Sequence, residues 1–144
     1  MAKKYFHDQQ PDGWGAVPPS LSKDVFGLTA EASTASTVLF TLTNTGMYAI
    51  FGDLAITTAG TGGTTPTILL SLIFKDETGT TLTASGTAVS SNTLGLHSAV
   101  VSATGTPLYL YLTSGTTISY STTFAGTAGT LGICAVHTAV LQLS

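Results

Sequence analysis

From Ser36 onward the side chains alternate with a period of two. Val38, Phe40 and Leu42 share one parity, while Leu39, Thr41 and Thr43 take the other. Tyr48, Ile50, Leu54 and Ile56 form a second set, and Ile68, Leu70, Leu72 and Phe74 a third. Leu108, Leu110 and Leu112 alternate with Tyr109, Tyr111 and Thr113, and Ile118, Tyr120, Thr122 and Phe124 follow the same rule. Successive side chains of a strand point to opposite sides, so the pattern describes strands with one face on a core. Branched and aromatic residues suit that pleated surface.

Turn chemistry separates the runs. Asn44-Thr45-Gly46 joins the first two, and Gly60 to Pro66 makes a longer loop. Asp76-Glu77-Thr78-Gly79 closes a tight turn, Ser114-Gly115 signals a two-residue hairpin, and Ala125 to Gly129 separates the last two runs. About eight strands are predicted: 36–43, 47–57, 67–75, 80–84, 93–101, 107–113, 116–124 and 131–143. No segment has the residue mix of a long helix, although residues 22–33 could hold one turn or two. The expected fold is all-β: an antiparallel jelly-roll sandwich over residues 35–144.

Hydration of this body does not rest on charge. The chain holds only 11 Asp, Glu, Lys and Arg residues in 144, no Arg, and none of the four types after Glu77. Its 28 Thr and 14 Ser residues take many outward positions instead. A formal net charge of −3 offers no electrostatic footprint for nucleic acid. No apolar run reaches the ~18 residues of a membrane helix. The longest near-apolar run, Ile68 to Phe74, is interrupted by Ser71. Met1-Ala2-Lys3-Lys4 leads into Tyr5-Phe6-His7-Asp8, so no signal peptide is expected. One cysteine, Cys134, excludes an intrachain disulfide.

Residues 1–34 differ from the body. They hold three of the four lysines, three of the five prolines and the only Trp. Pro11-Asp12-Gly13 and Pro18-Pro19 oppose regular structure. An extended N-terminal arm is expected, and Tyr5, Phe6, Trp14 and Val17 are its candidate partner-binding residues. A purely solvated tail has little use for such side chains.

The last run is apolar on both parities. Leu131, Ile133, Ala135, Ala139, Leu141 and Leu143 lie on one side with His137, and Cys134, Val136 and Val140 on the other. Burial on both faces suggests a homo-oligomer, with Val136 and Val140 at the interface beside outward-facing Tyr109 and Tyr111. The tyrosines could equally stack on sugars.

Candidate chemistry is sparse. Cys134 and His137 are three apart on a strand and face opposite ways, so they cannot share a metal without a bulge. His97, His137 and Asp53 could join a hydroxyl in a triad, but no Gly-x-Ser-x-Gly elbow occurs. Asp53 is expected to face outward, and Asp76 and Glu77 to be solvated turn residues. The glycines from Gly60 to Gly63 precede a strand, not a helix that could receive a phosphate. A non-enzymatic protein without metal or cofactor is expected.

Three stretches and the closing strand resemble a jelly-roll type found in bacteriophage virion proteins, with a tumour-necrosis-factor-like trimeric architecture. They are Thr45 to Leu54, with its Gly-x-Tyr start, the acidic turn Lys75 to Gly79, and Gly115 to Phe124. Val136 to Leu143 occupies the place of the family's last strand, and the similarity covers about residues 36–144. It departs at Gly132-Ile133-Cys134-Ala135, where related chains tend to carry an aromatic. The resemblance implies a structural protein located in the virion: a capsid decoration (cement) protein, a head fibre or part of a tail appendage. A trimer, with the major capsid protein or another virion protein as partner, is then expected. The alternative is a receptor- or glycan-binding module of a tail or head fibre.

Overall fold

The computed structural model describes residues 20–143 apart from 31, 103 and 128. Tyr5, Phe6, Trp14 and Val17 lie outside the described residues. Ten strands follow in order: β1 (Ser20–Thr29), β2 (Thr34–Thr41), β3 (Gly46–Thr58), β4 (Thr64–Lys75), β5 (Thr81–Ser85), β6 (Val89–Ser90), β7 (His97–Val100), β8 (Leu108–Leu112), β9 (Thr117–Thr127) and β10 (Ile133–Gln142).

The strands make two five-stranded sheets. In the first, β1, β10 and β3 lie side by side, and both β7 and β8 pair with the far edge of β3. β8 runs against residues 46–50 of β3 and β7 against residues 52–55. In the second, the order is β2, β9, β4, with β5 and β6 both on β4. Every pairing is antiparallel.

The even-numbered residues of β3 and β10 face the second sheet. Ile50, Leu54, Val136 and Val140 pack there with Ile68, Leu70, Leu72 and Ile118, all buried. Each fully buried aliphatic side chain contributes about 1.5–3 kcal/mol relative to exposure. One hydrogen bond also ties the sheets together: the Leu70 amide donates to Oγ of buried Ser98 at 3.1 Å.

All-β architecture and an antiparallel sandwich are therefore as expected, and each of the eight predicted strands has a counterpart. The differences have local causes. Residues 20–29, expected within the arm and partly as helical turns, form strand β1 on β10. A bulge between Val25 and Leu28, with Gly27 at φ +70°, inserts one residue. Val25 and Leu28 both pack on the core, so the apolar parity switches within the strand and the period-two signal is lost. β6 has only two residues, too few to show a period. Ser114-Gly115 does not close a hairpin. β8 and β9 belong to different sheets, and the Gly115 amide donates to the Leu42 carbonyl at 2.8 Å.

Candidate functional site

The outer face of the first sheet gathers most of the residues that could act. Asp24 on β1, His137 on β10, Asp53 on β3 and Ala99 on β7 stand directly opposite one another in one cross-strand row. His97 faces Ala55, two residues along from Asp53. The row and His97 together form two acid–imidazole pairs. His137 Nδ1 donates to Asp24 Oδ1 at 2.9 Å, and His97 Nδ1 donates to Asp53 Oδ2 at 2.7 Å. An ionised carboxylate only accepts, so Nδ1 is the donor in each pair. Phe26 meets the His137 ring edge-on, with centroids 5.6 Å apart. Asp53 Oδ1 is buried and has no hydrogen-bond donor among the described residues.

Beside the row the sheet surface dips into an open depression of about 360 Å³. Small outward residues make the dip, Ala99 and Ala139, over the backbone of Gly52. Phe51 and Val101 border it on the apolar side, while Asp24, Asp53 and His137 border it on the polar side. The two described lysines lie elsewhere. Lys75 is in the second sheet, and Lys23 stands opposite Thr138 on the other parity of β1.

Tyr109 and Tyr111 extend the same face. They pair with Ala49 and Met47 across β3, not with the Thr-rich β9. Both are about half exposed, like Phe51. Val136 and Val140, expected at an oligomer interface, are instead buried between the sheets at 0 % and 2 % exposure. Their even parity on β10 turns them inward, beside Cys134 and Thr138. The surface that β10 offers a neighbour is the opposite parity, including His137, Ala139 and Leu141.

Asp53 faces outward, as its parity on β3 indicates. Its partner His97, however, comes from 44 positions away, and Asp24 and His137 are 113 apart. No local spacing joins them. Among the described residues neither imidazole is hydrogen-bonded to a hydroxyl, so the pairs do not form a Ser-His-Asp triad. The same residues contain no group of three His, Cys, Asp or Glu arranged to hold a metal. Cys134 is buried in the core, and burial pushes its thiol up to about 11, which disfavours the reactive thiolate. In the β4–β5 turn, Asp76 Oδ1 accepts from the Thr78 and Thr80 amides, each at 2.9 Å, and from the Thr78 hydroxyl. These bonds, led by the hydroxyl, lower the Asp76 pKa.

No protein-family profile and no curated protein matches this chain. Among solved structures, that of infectious bursal disease virus strain Gx matches at 10 % identity, over 88 % of this chain and 33 % of that chain, with a TM-score of 0.41. A VP2 subviral particle of the same virus matches at 13 % identity, over 88 % and 34 %, with a TM-score of 0.40. The chain thus spans about a third of the length of these matched chains.

Proposed function

We propose that the chain is a non-enzymatic structural protein of a virion, and more narrowly a capsid decoration protein of a tailed phage. It associates, as a trimer, through the outer face of the first sheet. Its N-terminal arm, through Tyr5, Phe6, Trp14 and Val17, binds the major capsid protein. Reinforcement is the mechanism: bridging capsid subunits adds buried area that resists internal pressure.

One observation carries this reading. Phe51, Val101, Tyr109 and Tyr111, each 42–57 % exposed, share a sheet face that holds no lysine or arginine among the described residues. Contiguous apolar surface of this kind marks interaction sites, and aromatic residues are favoured in them. The resemblance of residues 36–144 to phage virion jelly rolls supports the same reading. Particles decorated by a chain lacking residues 2–19 test it. Loss of particle binding is expected, and full occupancy by the truncated chain would overturn the arm's role.

A second reading is favoured by the exposed tyrosines together with the hydroxyl cluster of Ser102, Thr104 and Thr106, linked at 2.7–3.2 Å. Those features suit a glycan-binding module of a fibre. Copy number separates the two: many copies per head for a decoration protein, few for a fibre tip.

A further inference from the structure

We propose that the depression on the outer face of the first sheet receives an arginine side chain from a partner protein other than this chain. The inference rests on that face being an interaction surface, and it specifies the chemistry that one part of the face takes up.

The face is one-sided in charge. Its acids and imidazoles among the described residues are Asp24 from β1, Asp53 from β3, His97 from β7 and His137 from β10. With neutral imidazoles these groups carry only the negative charge of the two aspartates. No described lysine offsets it: Lys23 takes the other parity of β1, and Lys75 is in the second sheet. The chain has no Arg at all. Two copies meeting by this patch would set aspartate toward aspartate, and juxtaposed like charges are costly. The complementary charge therefore comes from a different protein.

Shape and polarity narrow the choice. Ser22, Ala139 and Phe51 stand in one row across β1, β10 and β3, and Asp24 lies two residues along β1 from Ser22. All four line the depression of about 360 Å³. Asp24 is about half exposed, and among the described residues only its Oδ1 is engaged, by His137. Asp53 Oδ1 is buried, so Asp53 contributes its charge and not a contact at that atom. An occupant that suits this surface has an apolar stem to lie over Ala139, a planar group for half-exposed Phe51, and a positive charge for Asp24. Arginine combines the three, since its guanidinium is planar, always charged and stacks on aromatic rings. An ammonium is more strongly hydrated and has no flat face.

The imidazoles make the attraction depend on pH. Histidine side chains gain charge on acidification between about pH 8 and about pH 5. An imidazolium at His137 or His97 neutralises the adjacent aspartate in place, and so weakens the pull on an outside cation.

Nα-acetyl-arginine amide is the probe, titrated into the full-length chain and followed by proton–nitrogen correlation spectra. Saturable shifts of the Gly52, Ala99 and Ala139 amides are expected. The citrulline equivalent, similar in shape but uncharged, should bind several-fold more weakly, and so should the lysine equivalent. Asp24→Asn should weaken arginine binding several-fold, whereas Glu77→Gln, which removes an equal charge from the exposed β4–β5 turn, should not change it. Binding should be tighter at about pH 8 than at about pH 5. Absence of saturable shifts at these amides, equal binding of citrulline or lysine, or unchanged affinity in Asp24→Asn overturns the proposal. So does a Lys75→Gln chain whose copies associate as weakly as those of Asp24→Asn, because the cation then comes from a second copy. Tyr109→Ala and Tyr111→Ala test the face separately: if they weaken association while arginine fails to bind, the face remains an interaction surface and this inference alone falls.

Discussion

Gly52 of β3 sits against Leu72 of the opposite sheet so closely that a Cβ on Gly52 would lie 2.9 Å from Leu72 Cδ1. At this point the side chains between the sheets come from the second sheet alone. Leu70 Cδ2 would be 3.2 Å from the same Cβ, so Leu72 has little room to yield. Gly52→Ala should destabilise the fold by roughly 1–2 kcal/mol, overpacking being partly offset by the lower entropy of Ala in the unfolded chain. The urea midpoint should fall with an unchanged slope.

Core and surface roles on the first sheet can be separated by truncation. Val136→Ala and Val140→Ala each remove buried methyl groups and should cost about 1.5–3 kcal/mol of folding stability. Tyr109→Ala and Tyr111→Ala touch the outer face and should leave the folding midpoint of dilute protein within about 0.5 kcal/mol. Their effect should appear as weaker association in sedimentation or light scattering. Equal association in wild type and both tyrosine variants would count against this face as the interface.

Alkaline pH should weaken the fold. Burial pushes the Cys134 thiol up to about 11 and also raises the Tyr48 phenol. An unfolded thiol ionises near ~8.5. Below that value both states keep the proton and the contribution is intact. Between there and about 11 the unfolded chain releases a proton that the native chain retains, so stability falls as pH rises. Tyr48 acts in the same direction above the ordinary phenol value of ~10. Urea midpoints across this range check the trend, and Cys134→Ala should remove the thiol's share. At neutral pH Cys134 should resist thiol reagents until the protein unfolds.

The acid–imidazole row should matter little to the isolated fold. Asp24 and His137 are both close to half exposed, and exposed pairs contribute ~0–1 kcal/mol. Asp24→Asn should therefore shift the melting midpoint only slightly. A loss of several kcal/mol would show the row to be structural rather than an element of an interaction surface.

Gly27 holds the β1 bulge at φ +70°, and a Cβ there would meet no atom within 4 Å, so conformation rather than space restricts the position. Gly27→Ala should cost about 1 kcal/mol, and Gly27→Asn less, read as a thermal midpoint shift.

Strand identity was legible where one residue in two faced the core, as in β3, β4 and β10; β5 buries no residue, and in β2 a register shift turns both Leu39 and Phe40 inward and leaves Val38 exposed. β1 was not, because Gly27 shifts its parity between Val25 and Leu28. Nor did alternation reveal which sheet a strand joins. Leu108–Leu112 and Thr117–Thr127 read as a hairpin but part at Ser114-Gly115 to opposite layers. Val136 and Val140 read as available to a neighbour because β10 is apolar on both parities, and parity alone cannot tell which side is inward. The Asp24, Asp53, His97 and His137 grouping depends on four different strands meeting, which no local pattern encodes.

β10 lies between β1 and β3 and is the last of the ten strands to leave the ribosome. Until it arrives, β1 has no partner in the first sheet, and the depression lacks the side that Ala139 provides. Such distant pairing forms late in folding. A nascent chain that stops short of β10 therefore has β1 unpaired and the first sheet open between β1 and β3. Completion of the first sheet is thus timed to the synthesis of β10.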